Sequence, residues 1–288
     1  MPSLKGKVEP EMSFPLVMGI INVTPDSFWE GSRRPDVAAA VQAARTMQKA
    51  GAALIDVGGE STRPGSRPVS IEEEEARVVP VIRALVDEPG LVVSIDTRHP
   101  EVAEAALAAG AAIINDVGGL GDPGMCALAA DSGARVILMH MQGQPETMQE
   151  APQYRDVLAE IDGFFSTRLD FAVAAGIRRE RVWLDPGIGF GKRLEDNLAI
   201  IRGLGRFSRH GCPLVMGLSR KSFIGAVTGR PVEERILGTC LYHYAALTAG
   251  AAILRVHDVP EAMETISVWR SLQEEQPGKI PTKAVFSP

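Results

Sequence analysis

The feature that most constrains this 288-residue chain is a repeat in which eight short apolar runs alternate with longer segments of helical periodicity. Each run spans only a few residues, is almost wholly apolar, and ends at polar or glycine-rich residues. That pattern is typical of strands that are buried on both faces of a parallel sheet. The predicted strands are Leu16–Ile21, Ala53–Val57, Leu91–Ile95, Ala112–Asn115, Val136–Met139, Val182–Leu184, Leu214–Met216 and Ala251–Leu254.

Helical segments fill the intervals between the runs, and several have recognisable ends. Asp36 can cap the first helix, and Gly51 can close it in a left-handed turn. Ser70 followed by the acidic run Glu72–Glu75 predicts the start of the second helix, because acidic side chains favour the positive end of the helix dipole. The clearest predicted helices are Asp36–Ala50, Ile71–Val86, Pro100–Ala109, Tyr154–Ala175 and Glu233–Ala249.

Eight strand–helix repeats predict the α/β class and a closed (β/α)8 TIM barrel. A doubly wound open sheet is the alternative, because it shares the same alternation. No linker or shift in composition marks a second domain. Residues 1–288 are therefore predicted to form a single domain, with a short polar tail from about residue 273.

Composition narrows the class of protein and its compartment. The formal net charge of -6 argues against a nucleic-acid partner, because no net positive field would gather phosphates. Cys126, Cys212 and Cys240 stand far apart, which supports neither a disulfide framework nor a structural zinc site. No apolar stretch resembles a signal peptide or reaches the length of a membrane span. The chain is predicted to be cytoplasmic, without a membrane partner.

Polar residues follow the carboxyl end of every predicted strand. In a barrel these ends meet at one rim, where catalytic groups collect. A single aspartate at a strand end is as often a helix cap, but charges gathered at one rim are costly unless they are paired or bound. A ligand site is therefore predicted at this rim. The residues that define it are Asn22, Asp56, Asp96, Asn115, Asp116, His140, Asp185, Ser219, Arg220, Lys221, Ser222, Arg255, His257 and Asp258.

Two other patterns do not predict chemistry. The glycine-rich segment 187–192 ends in a lysine, but Arg193 follows where a P-loop needs Ser or Thr. The five histidines lack the close spacing of metal ligands, and His243 lies in an Ala-rich helical pattern that favours a structural role.

Seven motifs at these strand ends resemble, in order along nearly the whole chain, those of the dihydropteroate synthase family. The resemblance implies an enzyme that joins p-aminobenzoate to a pterin diphosphate and releases pyrophosphate. It also implies Mg2+ as cofactor and a homodimer. The matching segments are 18–28, 58–65, 94–97, 114–116, 184–190, 219–223 and 255–258.

The family pattern also implies which residues act. Asn22 is the implied metal ligand, and the implied catalytic residues are Asp26, Glu30, Arg63 and Lys221. The implied substrate-binding residues are Thr62, Asp96, Asn115, Met139, Asp185, Phe190, Gly217, Lys221, Ser222, Arg255 and His257.

Within that set, the resemblance divides the work among three regions. Asp96, Asn115, Asp185 and Lys221 line a deep pterin pocket, against whose ligand Arg255 stacks. The diphosphate lies among Asn22, Thr62, Arg63, Arg255 and His257. Ser222 and the adjoining helix amino end receive the p-aminobenzoate carboxylate. The outer pocket is shaped by Thr24, Pro25, Phe28, Pro64 and Phe190.

One segment departs from the family pattern. After Phe28 the family usually has a small residue and then Asp, whereas this chain has Trp29-Glu30-Gly31. Glu30 either replaces that acid near the reacting cation or stays solvated. Two other functions stay open: a pterin-dependent methyltransferase that serves a corrinoid, and an inactive pterin-binding relative.

Overall fold

The computed structural model describes residues 13–23, 37–61, 69–144 and 147–273, and these residues contain eight parallel strands in one sheet. The strand order is β6-β5-β4-β3-β2-β1-β8-β7, so the first strand pairs with both the second and the last. The strands are β1 Leu16–Asn22, β2 Leu54–Gly58, β3 Val92–Asp96, β4 Ile113–Asp116, β5 Arg135–Met139, β6 Val182–Asp185, β7 Val215–Met216 and β8 Ile253–Val256.

A narrow seam between β6 and β7 completes the barrel. Leu184 forms a parallel bridge with Leu214, and the Leu184 N–H donates to the Pro213 carbonyl at 2.9 Å. The predicted (β/α)8 barrel is confirmed, and the open doubly wound sheet is excluded because β1 and β8 are neighbours.

Helices follow the strands around the outside of the barrel. Ser70 caps α2 as predicted, accepting a hydrogen bond from the Glu73 N–H at 3.2 Å, and Gly51 follows α1 with a φ of 110°. The cap predicted at Asp36 lies outside the described residues. The described helices are α1 Val37–Lys49, α2 Ile71–Leu85, α3 Pro100–Ala108, α4 Pro123–Ser132, α5 Val157–Ala174, α6 Leu194–Arg202, α7 Ser222–Thr228, α8 Ile236–Thr248 and α9 Val259–Ser271.

Two predicted helix starts were too early. Tyr154 precedes α5 and donates from its hydroxyl to the Gly191 carbonyl at 2.9 Å. Glu233 lies in a separate 3-10 turn, Val232–Glu234, before α8. Within the described parts of the chain, no helix has the length and apolar character that crossing a membrane requires.

The barrel interior is apolar at one end and polar at the other. Inward-facing side chains from seven strands form an apolar plug at the amino end, and the same alternation brings polar residues inward two positions later. On β2 the change is from Leu54 to Asp56, and on β8 it is from Ile253 to Arg255. The plug consists of Leu16, Met18, Leu54, Ile113, Ile137, Trp183, Val215 and Ile253.

Candidate active site

Arg255 lies at the centre of a charge network at the polar end of the barrel. Its Nε donates to Asp56 Oδ2 at 2.6 Å, and its Nη2 donates to Asp96 Oδ2 at 2.5 Å. Asn115 Nδ2 donates to the same Asp56 oxygen at 2.9 Å. Side chains that point into the barrel therefore join β2, β3, β4 and β8.

Burial and charge oppose each other in this network. Burial raises the pKa of Asp96 to about 7, although the neighbouring Arg255 charge works in the opposite direction. Burial alone would lower the pKa of Arg255, but the charges of Asp56 and Asp96 outweigh it and raise that pKa. Arg255 is thus a fixed cation, whereas Asp96 can carry or lose its charge near neutral pH.

Asp185 and Lys221 lie close together at the same polar end of the barrel. Asp185 accepts a hydrogen bond at Oδ1 from the Gly187 N–H at 2.7 Å. Lys221 Nζ donates to the Ile188 carbonyl and lies 4.3 Å from the ring centroid of Phe190. Burial lowers the pKa of Lys221 to about 8, against the attraction of Asp185. This region therefore offers a buried carboxylate acceptor beside a readily discharged ammonium donor.

The loop after β7 is tied to the end of β8. Arg220 makes a bidentate ion pair with Asp258 at 2.8 and 2.7 Å. His257 Nδ1 lies 3.0 Å from Ser219 Oγ, which also accepts from the His257 N–H at 3.2 Å. These contacts set Lys221 and Ser222, the first residue of α7, beside the charge network.

Asn22 ends β1 at the rim, on the same side of the barrel as the carboxylate of Asp96. Gly58 separates them: a Cβ on this glycine would lie 3.8 Å from Asn22 Oδ1 and 3.5 Å from the Cβ of Asp96. Amide and carboxylate oxygens are the ligands that Mg2+ prefers. One neutral amide holds such an ion only weakly, so the residues fit a Mg2+ that receives most of its ligands from a bound diphosphate and water.

Comparison with known proteins gives this site a family. Residues 18–257 match the model of the pterin binding enzyme family. The dihydropteroate synthase of Escherichia coli (strain K12) is 46% identical over 258 residues, which cover 90% of this chain and 92% of that protein. The chain belongs to the dihydropteroate synthase family.

Solved structures of dihydropteroate synthases share the whole fold. The enzyme from Xanthomonas albilineans with 4-aminobenzoic acid is 46% identical, with a TM-score of 0.85 over 91% of this chain and 94% of that one. The same organism's enzyme in complex with 7,8-dihydropteroate gives a TM-score of 0.82 at 44% identity, with the same coverage of both chains. The sequence resemblance is thereby confirmed, and a corrinoid-serving methyltransferase is disfavoured.

The structure brings together one part of the residue set that the family pattern implies. Asp96, Asn115, Asp185, Lys221 and Arg255 are mutual neighbours at the polar end of the barrel. Met139 pairs with Asp185 across β5 and β6, Gly217 follows β7, Ser222 begins α7, and Phe190 and His257 follow β6 and β8. The remaining positions lie outside the described residues: Thr24, Pro25, Asp26, Phe28, Trp29, Glu30, Thr62, Arg63 and Pro64.

The family pattern assigns no role to Asp56, which is predicted only as one of the polar rim residues, although it is the most deeply buried acid of the network. It is 0% exposed, and its Oδ1 has no hydrogen-bond partner among the residues that the structure describes. The available signal was its position: it lies on the same face of β2 as Leu54, inside the barrel rather than after the strand end.

A second polar cluster lies outside the barrel, behind β2. Glu60 accepts from the Val69 N–H and from Arg98 Nε, each at 3.3 Å, and Glu74 Oε2 lies 2.7 Å from His99 Nδ1. Glu60, Glu74 and His99 are close enough to hold a metal ion. Three of the four carboxylate oxygens already have protein partners, however, so the cluster is an ion-pair network that joins the ends of segment 61–69.

Proposed function

We infer that the chain is a dihydropteroate synthase, which condenses p-aminobenzoate with 6-hydroxymethyl-7,8-dihydropterin diphosphate to give 7,8-dihydropteroate and pyrophosphate in folate biosynthesis. The observation that carries this inference is the grouping of Asp96, Asn115, Asp185 and Lys221 at the polar end of the barrel. A pterin edge presents adjacent N–H donors beside a carbonyl and ring nitrogens. Carboxylates next to a lysine complement that pattern.

The pterin is recognised by acceptors on one side and a donor on the other. Asp185 accepts paired N–H donors of the ring, and Asp96 and Asn115 hold the opposite part of the same pocket. Lys221 serves the carbonyl and ring-nitrogen acceptors. The guanidinium of Arg255, fixed by Asp56 and Asp96, presents a planar cation to the pterin face.

The reaction begins when the bond between the pterin methylene carbon and the diphosphate oxygen breaks. The electron pair leaves with pyrophosphate, and the remaining cation is delocalised over the pterin. Arg255 and His257 stabilise the charge on the leaving group, and Arg63 and Thr62 join them. Preorganised cations at the place where charge develops are the main source of such catalysis.

The second half forms the carbon–nitrogen bond. The lone pair of the p-aminobenzoate amine attacks the methylene carbon, and the nitrogen then releases a proton to solvent. Ser222 and the first N–H groups of α7 receive the carboxylate of this substrate, and the Phe190 ring packs beside it. We propose that Asp26 and Glu30, which lie outside the described residues, supply the acidic groups that stabilise the cation.

Mg2+ belongs to the diphosphate part of the site. Asn22 is the residue that would hold it, with Asp96 as the neighbouring carboxylate. When bound, the ion would neutralise part of the charge on the leaving group.

One assay tests the function. The purified protein is expected to release pyrophosphate from the pterin diphosphate only when p-aminobenzoate is present, and to form dihydropteroate in equal amount. An inactive relative would release none. A methyltransferase would bind the pterin without consuming the diphosphate. Either outcome would contradict the proposed activity.

His257→Ala is expected to weaken pyrophosphate binding about tenfold, because it removes one hydrogen bond to a charged group, worth roughly 1.5 kcal/mol. Mg2+ is expected to strengthen pyrophosphate binding by the parent protein. Calorimetry with pyrophosphate, with and without Mg2+, measures both effects. His210→Ala is the control, because His210 pairs with Asp162 outside this site. Equal affinities for parent and His257→Ala would show that His257 does not bind the diphosphate.

We also propose that the enzyme works as a homodimer in the cytoplasm. Leu237 and Leu241 are 72% and 63% exposed one turn apart on α8, and they line one groove with Thr228 from α7. Exposed leucines in a contiguous face favour contact with a second copy.

Leu241→Glu is expected to shift the protein to monomer in sedimentation, whereas Val173→Glu on the exposed face of α5 is expected to leave the dimer intact. A monomeric parent would contradict the proposal.

A further inference from the structure

Lys192 is a buried cation that the reaction described above does not use. It follows the glycine-rich turn after β6, and only 3% of the residue is exposed. Burying a lysine is costly unless its ammonium is fully paired. The contacts of the Lys192 ammonium therefore indicate its role.

The ammonium has one acceptor for each of its three protons. Nζ lies 2.9 Å from the Phe190 carbonyl, 3.3 Å from the His140 carbonyl and 3.0 Å from His140 Nδ1. An ammonium has three donors and no acceptor, so this arrangement matches the charged form. It also requires a neutral imidazole with its proton on Nε2. Burial, followed by the charge of Lys192, lowers the pKa of His140 to about 3, which keeps the ring neutral.

These contacts join two loops that lie too close together for ordinary side chains. A Cβ on Gly187 would collide with the His140 carbonyl, and a Cβ on Gly191 would collide with the Gln142 carbonyl. The two loops are therefore packed backbone to backbone, and carbonyl oxygens face their junction. A cation placed there stabilises the carbonyls and fixes the turn.

The turn carries the groups that face the substrates. The Gly187 N–H donates to Asp185, the Ile188 carbonyl accepts from Lys221, and the Phe190 ring lies against the Lys221 ammonium. The Phe190 carbonyl, which Lys192 holds, belongs to the residue whose ring borders the outer pocket. Asp185 has its own hydrogen bond from the Gly187 N–H. Loss of the contact between Lys192 and the Phe190 carbonyl would therefore displace the Phe190 ring before it displaced Asp185.

We propose that Lys192 is a positioning residue, whose ammonium holds the Phe190 carbonyl against the loop after β5 by hydrogen bonds and so shapes the p-aminobenzoate pocket. This inference rests on the proposed function, since it assigns Phe190 to that pocket. It adds a pH dependence, because donating to all three partners requires all three protons of the ammonium.

The charges around Lys192 set the pH at which its hydrogen bonds to the two loops weaken. Burial lowers its pKa to about 7, the carboxylates of Asp185 and Asp196 work in the opposite direction, and the Lys221 ammonium lowers it further. His140 stays neutral, and the Tyr154 hydroxyl donates to Gly191 within the same turn. Below pH 7 the ammonium donates to all three partners, and above it the uncharged amine has two N–H donors for the same three partners.

The test is the KM for p-aminobenzoate between pH 6 and 9, at saturating pterin diphosphate. The parent is expected to show a KM that rises about fivefold with a midpoint near pH 7, equivalent to the loss of one hydrogen bond. Lys192→Met is expected to show a KM raised about tenfold at pH 6 and independent of pH. Affinity for the pterin diphosphate is expected to change less than about threefold. Lys49→Met, on the exposed end of α1, is the matched control and should behave as the parent.

A second variant covers the case in which Lys192→Met does not fold. His140→Phe keeps a ring against Phe164 but removes the Nδ1 acceptor, so the midpoint of the KM profile should move to lower pH. A midpoint that does not move overturns the proposal. So does a Lys192→Met profile that matches the parent, or an equal loss of pterin affinity. A parent that releases no pyrophosphate with p-aminobenzoate instead contradicts the proposed function, and the two failures are thus separable.

Discussion

Asp185→Asn is expected to weaken binding of the pterin diphosphate by at least about 100-fold. Only 6% of this residue is exposed, and one of its oxygens already accepts the Gly187 N–H at 2.7 Å. An ionised carboxylate can accept two further N–H donors from a pterin edge, whereas an amide has one acceptor oxygen and presents its own donors to the ligand. Two charge-assisted hydrogen bonds contribute roughly 1.5–3 kcal/mol each, so losing both lowers affinity by roughly 10^2 to 10^4.

Calorimetric titration with the pterin diphosphate measures this effect directly. Asp170→Asn makes the same change on the exposed face of α5 and should bind as the parent does. Thermal unfolding of both variants verifies that each is folded. Parent-like affinity of Asp185→Asn would remove Asp185 from the pterin pocket.

Arg255→Met is expected to lower the free energy of unfolding by about 3–5 kcal/mol, as breaking a buried ion pair usually does. Asp56 is wholly buried, and within the described parts of the chain its one cationic partner is Arg255, at 2.6 Å, beside a neutral amide donor from Asn115. Removing the guanidinium leaves a buried carboxylate without its positive partner. The variant should also lose measurable activity, because the same cation serves the diphosphate.

A double variant separates the charge effect from loss of packing. Asp56→Asn combined with Arg255→Met removes both charges and should recover at least about half of the lost stability in urea unfolding. Arg45→Met breaks the exposed bidentate pair with Glu88 and should change stability little. A double variant as unstable as Arg255→Met would show that the buried charge of Asp56 is not the cause.

The barrel could be predicted because its strands are apolar runs, but the same signal misplaced their ends. The eighth strand was predicted at Ala251–Leu254 and lies at Ile253–Val256. The first and sixth strands continue to Asn22 and Asp185, one residue beyond their predicted ends. Each extension adds a polar residue at the carboxyl end of the strand. Apolar periodicity cannot detect such a residue as part of a strand.

The site residues whose role could not be predicted depend on partners that are distant in sequence or belong to the backbone. Asp56 alone resembles a helix cap, and its cation Arg255 lies 199 residues further along the chain. Lys192 follows a glycine-rich segment, but Arg193 stands where a P-loop needs Ser or Thr, so the sequence pattern assigns this lysine no role. Two of its three acceptors are carbonyl oxygens, and no side-chain pattern records where carbonyls converge. The alternating glycines 187, 189 and 191 were the available signal, because each has a positive φ.

The pairing of β1 with β8 also has a consequence for how the protein is made. Leu16 lies beside Ile253, so this part of the barrel can close only after nearly all of the described chain has been synthesised. During translation, the aspartate on the second strand emerges long before the arginine that neutralises it. Partly folded chains that contain the first six strands must therefore keep that acid hydrated or protonated. The charge balance of the catalytic rim thus requires the eighth strand, which supplies both the arginine and the pairing that closes this side of the barrel.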